Sequence, residues 1–189
     1  MTLSSTQRRT LLALADESIR RGLIEVQRPA WHAAALEPGL DEQRASFVTL
    51  KLGDVLRGCC GTLQATRTLA EDVWCNAWAS AFSDSRFTPL TRHEYPRLDL
   101  QISVLSSLEP LQVASERDLH DALRPEIEGL VLELGPARAT FLPAVWEQLP
   151  DTREFLAHLK HKAGLPADFW SPQLRAYRYT TECFGAGRH

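Results

Sequence analysis

Residues 98–104 alternate without a lapse, with Leu98, Leu100, Ile102 and Val104 on one side and Asp99, Gln101 and Ser103 on the other, in a strand expected to run to Leu105. That period belongs to a strand with one buried and one wet face, and sheets of such strands are mainly antiparallel. The same period runs through Val48, Leu50 and Leu52, interleaved with Thr49 and Lys51. Gly53-Asp54 then reads as a two-residue hairpin turn, with a return strand from Val55 to about Leu63. Helical spacing covers 6–21, where Leu11, Leu12, Ala15 and Ile19 share a stripe behind a Ser5 cap. It returns from Thr68, whose capping box with Glu71 leads into Leu69, Val73, Ala77 and Ala81. Thr91 with Glu94 predicts a short helix ended by Pro96, and 115–123 predicts another. A second hairpin is expected at 130–134 and 139–142, around a longer turn at Gly135-Pro136. A helix from the Asp151 cap to about Ala163 and a last strand bearing Tyr177, Tyr179 and Thr181 complete the chain. Residues 23–44, with Pro29, Pro38 and Gly39, read as an irregular loop. Strands and helices do not alternate one for one, which disfavours a doubly wound parallel sheet. The expectation is α+β, with a mainly antiparallel sheet flanked by helices.

Charge and cysteine usage narrow the function classes. Against 21 basic residues stand 24 acidic ones, a net charge of −3, which argues against a general nucleic-acid binder. No apolar run reaches the ~20 residues of a membrane-spanning helix, so no membrane role is expected. The N-terminus lacks the apolar core of an export signal, so a cytoplasmic setting with reduced thiols follows. Cys59, Cys60, Cys75 and Cys183 show no zinc-knuckle or dithiol spacing. Adjacent Cys59 and Cys60 point to opposite faces of a strand, which disfavours both a joint metal site and a mutual disulfide. Glu154, His158 and His161 share one side of a helix at ligand-like spacing. That side lies away from Phe155, Leu156 and Leu159, so it reads as a solvated face, and no metal site is expected.

The unusual segment is Leu56-Arg57-Gly58-Cys59-Cys60-Gly61-Thr62. Glycines inside a strand mark a bulge or the close approach of a ligand or another backbone. Arg57 and Cys59 stand two apart, so both side chains are expected on one face, where a guanidinium would favour the Cys59 thiolate. Arg57 is equally suited to clamp a carboxylate or phosphate in two-pronged fashion. The plain alternative is a packed thiol, with glycines that relieve contact with a helix. Cys60, on the opposite face beside Leu56, reads as core. Ser83-Asp84-Ser85-Arg86-Phe87, directly after the tryptophan-bearing helix, either presents polar groups beside an aromatic wall or is a turn organised by an Asp84–Arg86 pair. Asn76, two helical turns earlier, faces the same space or is an ordinary surface amide.

Together these segments resemble the AMMECR family, whose bacterial and archaeal members are called AmmeMemoRadiSam system protein A. The family hallmark Leu-Arg-Gly-Cys-Ile-Gly-Thr is matched by Leu56, Arg57, Gly58, Cys59, Gly61 and Thr62, with Cys60 in the isoleucine position. Phe47-Val48-Thr49-Leu50 resembles the preceding strand. Ala81–Phe87 resembles Ala-Phe-x-Asp-Pro-Arg-Phe, with Ser85 in place of the proline. Matches continue through Ile102–Ser106, Gly129–Leu132, Ala139–Pro143 and Lys162–Pro166. The resemblance implies one domain over 1–189 with a larger and a smaller lobe, and a cleft between them near the hallmark strand. It also implies gene association with a Memo-like protein and a radical-SAM enzyme. It brings no reaction and no cofactor.

Two functions are therefore expected. One is an enzyme or enzyme subunit that binds a small anionic substrate through Arg57, Gly58, Gly61, Thr62, Asn76, Arg86 and Phe87. There Cys59 is nucleophile or redox group, and Asp84 is proton carrier or orienter. The other is a non-catalytic binding or scaffold protein for Memo-like and radical-SAM partners, with Cys59 in a packing role.

Overall fold

A computed structural model describes residues 2–25, 27–32 and 36–186. The chain divides into two compact units, the first made of the chain up to Leu105 with the segment from Glu182 onward, the second of Ser106–Thr181.

In the first unit, helix α1 (Ser5–Gly22) starts one residue earlier than the sequence suggests. Ser4 is the cap: its hydroxyl accepts from the Gln7 N–H, while the Gln7 side chain accepts from the Ser4 N–H. Helix α2 (Leu69–Phe82) begins at the expected cap, Thr68. Strands β1 (Ser46–Leu52), β2 (Val55–Gly61), β3 (Leu98–Leu105) and β8 (Thr181–Ala186) form a sheet in the order β2-β1-β3-β8. The antiparallel pairs β1–β2 and β1–β3 put Val48 opposite Ile102 and Leu50 opposite Leu100. Those side chains bury with Leu11, Ala15 and Ile19 of α1 and Leu69, Val73, Ala77 and Ala81 of α2 in one apolar cluster. The period-2 and period-3.6 stripes are thus the two halves of a single core.

The second unit carries β4 (Glu109–Leu111), β5 (Gly129–Leu134), β6 (Ala137–Phe141) and β7 (Arg175–Tyr179) in the order β4-β7-β5-β6, all antiparallel. Helices α3 (Glu116–Ala122) and α4 (Thr152–Lys162) join their core, where the Trp146 ring stacks on Phe155 at 3.6 Å.

The fold class stands as expected, but the strands fall into two sheets rather than one. The expected last strand is two: β7 lies in one sheet and β8 in the other, parted at Thr180. Three-residue β4, carrying Pro110, lacked the length to register as a strand. The Gly135-Pro136 turn is a two-residue turn, because Leu134 pairs with Ala137. Strand β2 ends at Gly61. The Thr91–Glu94 box forms, but the helical residues are the 3-10 turn Tyr95–Arg97, with Pro96 inside it. The 23–44 segment is irregular where described; its positions 26 and 33–35 lie outside the described residues. Among the described residues no helix is long and apolar enough to cross a membrane.

Candidate functional site

Strand β2 stands at the edge of its sheet, and the hallmark segment runs along it. Its register on β1 slips: Gly58 faces Leu50 while Leu56 faces Lys51, leaving Arg57 as the extra residue of a bulge. A bulge breaks the two-residue alternation, so spacing alone does not put Arg57 and Cys59 on one face. It also turns Leu56 to the outer side with Lys51, correcting the expectation that Leu56 and Cys60 share the core. Each motif glycine has a packing reason. A Cβ on Gly58 would sit 2.0 Å from the Ser80 backbone oxygen of α2, and one on Gly61 would sit 2.2 Å from the Phe47 ring. The close approach is by backbone and ring, and no ligand is needed to explain it.

Both guanidiniums are held from within. Arg57 Nε donates to Glu94 Oε1 at 2.8 Å and its Nη2 to Oε2 at 3.2 Å, while Nη2 also reaches the Thr88 carbonyl at 2.9 Å. The Arg57 pairing holds the Glu94 carboxyl well below the usual range, down to about 2. Arg57 Nη1 is buried without an acceptor. Arg86 grips Asp84 in a fork, Nε to Oδ1 at 2.9 Å and Nη2 to Oδ2 at 2.7 Å. Arg57 and Arg86 lie 5.8 and 5.5 Å from the Phe87 ring centroid, close enough for a cation–π contribution.

Asp84 and Arg86 together act on the strand edge. Asp84 Oδ2 accepts the Cys59 N–H at 2.9 Å and Arg86 Nη2 donates to the Cys59 carbonyl at 3.2 Å. Two side chains thus satisfy the outward backbone groups that a neighbouring strand would otherwise meet. Mainly through the Arg86 hydrogen bonds, and also through the Cys59 amide, the Asp84 carboxyl is pushed far below its ordinary range. It therefore stays ionised near neutral pH. Of its two expected roles the geometry favours orienter and opposes proton carrier, which needs a group titrating near the working pH.

Cys59 is half-buried, and the Thr49 hydroxyl lies 3.4 Å from its sulfur. Cys60 is also half-buried; burial, then the neighbouring Asp84 charge, pushes its thiol up, which disfavours the thiolate. Its amide bonds the Ser80 hydroxyl, which in turn donates to the Val48 carbonyl, so α2 inserts a side chain into the β1–β2 ladder.

Thr62 and Asn76 both turn to a buried carboxylate. Both donate to Asp72, a carboxylate only 1 % exposed, at 2.9 and 2.8 Å. Ser46 adds its amide and hydroxyl at 2.9 and 2.7 Å. This buried knot ties α2 to the hairpin. A charged residue beside Val73, on a helix with hardly any polar face, was the sequence signal for it. Glu94 as the partner of Arg57 left no such signal, since the pair spans 37 residues.

Glu154, His158 and His161 are exposed on α4, and among the described residues no group of three or more metal-binding side chains converges.

Comparison with known proteins agrees with this architecture. The AMMECR1 family model matches residues 12–184. The chain is similar to a protein of Methanothermobacter thermautotrophicus, 35% identical over 187 residues, covering 96% of this chain and 95% of that one. It is also similar to a protein of Methanosarcina mazei, 31% identical over 185 residues, covering 96% and 92%. The crystal structure of an uncharacterised protein from Pyrococcus horikoshii superposes with a TM-score of 0.89 at 30% identity, covering 97% of this chain and 93% of that one.

Proposed function

The chain belongs to the AMMECR1 family, and on that premise we propose that it works by binding, as a non-catalytic scaffold whose hallmark strand is presented to a protein partner. The observation that carries this reading is the pairing of both motif guanidiniums with carboxylates of their own unit, Arg57 with Glu94 and Arg86 with Asp84. Paired in this way, the four groups cancel in charge. They offer a small anion little, while giving the strand edge a fixed, preorganised shape. Val55, 70 % exposed at the start of the same strand, and half-exposed Leu56 add apolar surface there. The partners proposed are the Memo-like and radical-SAM proteins.

A second reading has its own support. Arg57 Nη1 is a buried donor without an acceptor, and a hydroxyl stands against the Cys59 sulfur. A site of that kind would take a small anion, with Cys59 as nucleophile or redox group.

Two measurements separate the readings. In co-purification, a Cys59→Ser protein retains the Memo-like and radical-SAM partners, and Asp84→Asn weakens their capture; loss of capture by Cys59→Ser alone, with the fold intact, overturns the scaffold. In alkylation with iodoacetamide, Cys59 reacts more slowly in the folded chain than in urea. A faster folded-state reaction establishes an activated thiol and the enzyme reading instead.

A further inference from the structure

The second unit contains a hollow of about 920 Å³ between α3, α4 and the loop that follows α4, remote in sequence from the hallmark segment. Beneath it Lys160, wholly buried, donates to Glu116 Oε1 at 2.6 Å and to the Ala167 carbonyl at 3.0 Å. A buried ammonium held by one carboxylate and one carbonyl ties the walls together and cancels the Glu116 charge.

The remaining charges of the hollow are not cancelled in that way. Arg153 and Asp168 both line it, and neither has an ion pair among the described residues. Arg117 meets Asp121 only at 4.0 Å, with side chains 90% and 74% exposed. Arg117 and Arg153 each stand in the first turn of a helix, where the macrodipole disfavours a cation. The i,i+4 pair with Asp121 supports Arg117, and the Asp151 cap carboxylate attracts Arg153 and His120, but among the described residues neither arginine side chain is gripped at hydrogen-bond length.

His120 adds a directed donor. Its ring is 18% exposed, its Nδ1 is buried with no acceptor, and its Nε2 lies 3.7 Å from Glu116 Oε1, beyond hydrogen-bond length. A proton on Nδ1 would be a buried donor left unmade, so the neutral ring carries it on Nε2. Buried polar atoms are normally satisfied, and a half-buried imidazole bonded at neither nitrogen is an exception. Ala157 and Ala167 contribute small apolar walls that leave the space open.

We propose that this hollow binds a small zwitterion of the amino-acid or short-peptide class. The ligand carboxylate is received by the Arg153 guanidinium and the His120 Nε2–H, and its ammonium by Asp168. A carboxylate and a guanidinium match in two-pronged fashion, and a dipolar ligand uses both unpaired charges at once. This site is independent of the hallmark strand and stands whether or not the scaffold reading does.

The test is an NMR titration of the full chain with glycylglycine, N-acetylglycine and glycinamide as probes. Glycylglycine shifts the His120, Ala157 and Ala167 signals saturably, and binds at least ~10-fold more tightly than either singly charged probe (a tenfold ratio is about 1.4 kcal/mol). Arg153→Ala and Asp168→Asn each lower glycylglycine affinity by a similar factor while leaving the remaining spectrum in place. No saturable shift at those three residues overturns the proposal. Equal affinity for N-acetylglycine and glycylglycine also overturns it, and reassigns the hollow to simple carboxylates.

Discussion

The hallmark edge of the first unit and the hollow of the second treat charge in opposite ways. At the edge, Arg57 is forked onto Glu94 and Arg86 onto Asp84, and their partners accept further bonds from Thr91 and from the Cys59 amide. In the hollow only the buried Lys160–Glu116 pair is made to that standard, while Arg153 and Asp168 stand without ion pairs among the described residues. The difference teaches that a distinctive sequence motif and an available chemical group need not coincide. The motif residues are held by partners within their own unit, and the groups left to meet something else lie in an ordinary-looking helix and the turn that follows it.

The largest effect expected tests how tightly the edge is built. A methyl at Gly58 would press on the Ser80 backbone oxygen at 2.0 Å, and backbone in the last turn of a buried helix cannot step aside as a flexible side chain does. Gly58→Ala is expected to cost about 3 kcal/mol, at the upper end of ordinary overpacking. Urea denaturation measures it. A loss under about 1 kcal/mol breaks the picture of a strand pinned against α2.

An intermediate effect sharpens the contrast through pH. The Glu94 carboxyl titrates at about 2 in the fold against an ordinary 4.5, because Arg57 bonds its charged form. Its folded value is depressed, so the contribution is complete above pH 4.5 and is lost as pH falls toward 2. Glu94→Gln should therefore be less stable than the parent by about 1 kcal/mol at pH 7, the scale of a pair still in touch with water. The gap should close between pH 4.5 and 2. A gap that stays constant across that window means the pair contributes packing and no charge.

Legibility in the sequence divides along the same physical line. Short-range signals carried well. The alternation over 98–104, the Thr68 and Asp151 caps and the 3.6-residue stripes of α1 and α2 depend only on neighbours within a turn or two. The Asp84–Arg86 pair was legible for the same reason. What depended on partners far along the chain was not. The bulge at Arg57 appears only once β1 sets the register, and the Asp72 knot gathers Ser46 and Thr62 from positions 26 and 10 residues away. The polarity of Thr62 and Asn76 is visible in the sequence, but their shared buried partner Asp72 is not. The Lys160–Glu116 pair spans 44 residues and has no local signal, since Lys160 lies among exposed His158, His161 and Lys162.

The smallest effect is the most discriminating, because the comparison expects nearly none. Arg153 follows Asp151 and Thr152 at the start of α4, where its cation faces the positive end of the helix dipole and its side chain has no ion pair among the described residues. Replacing it with alanine removes an unfavourable charge–dipole term together with the favourable attraction of the neighbouring Asp151 carboxylate, and the two oppose each other. Arg153→Ala is accordingly expected to leave stability within about 0.5 kcal/mol of the parent. Arg86→Ala, with the same chemical change, should lose about 1 kcal/mol by releasing Asp84 and the Cys59 carbonyl. Parallel urea titrations of the two variants read the contrast directly. Were Arg153→Ala to lose as much as Arg86→Ala, the hollow would be as internally paired as the edge, and its charges would not be free to meet a ligand.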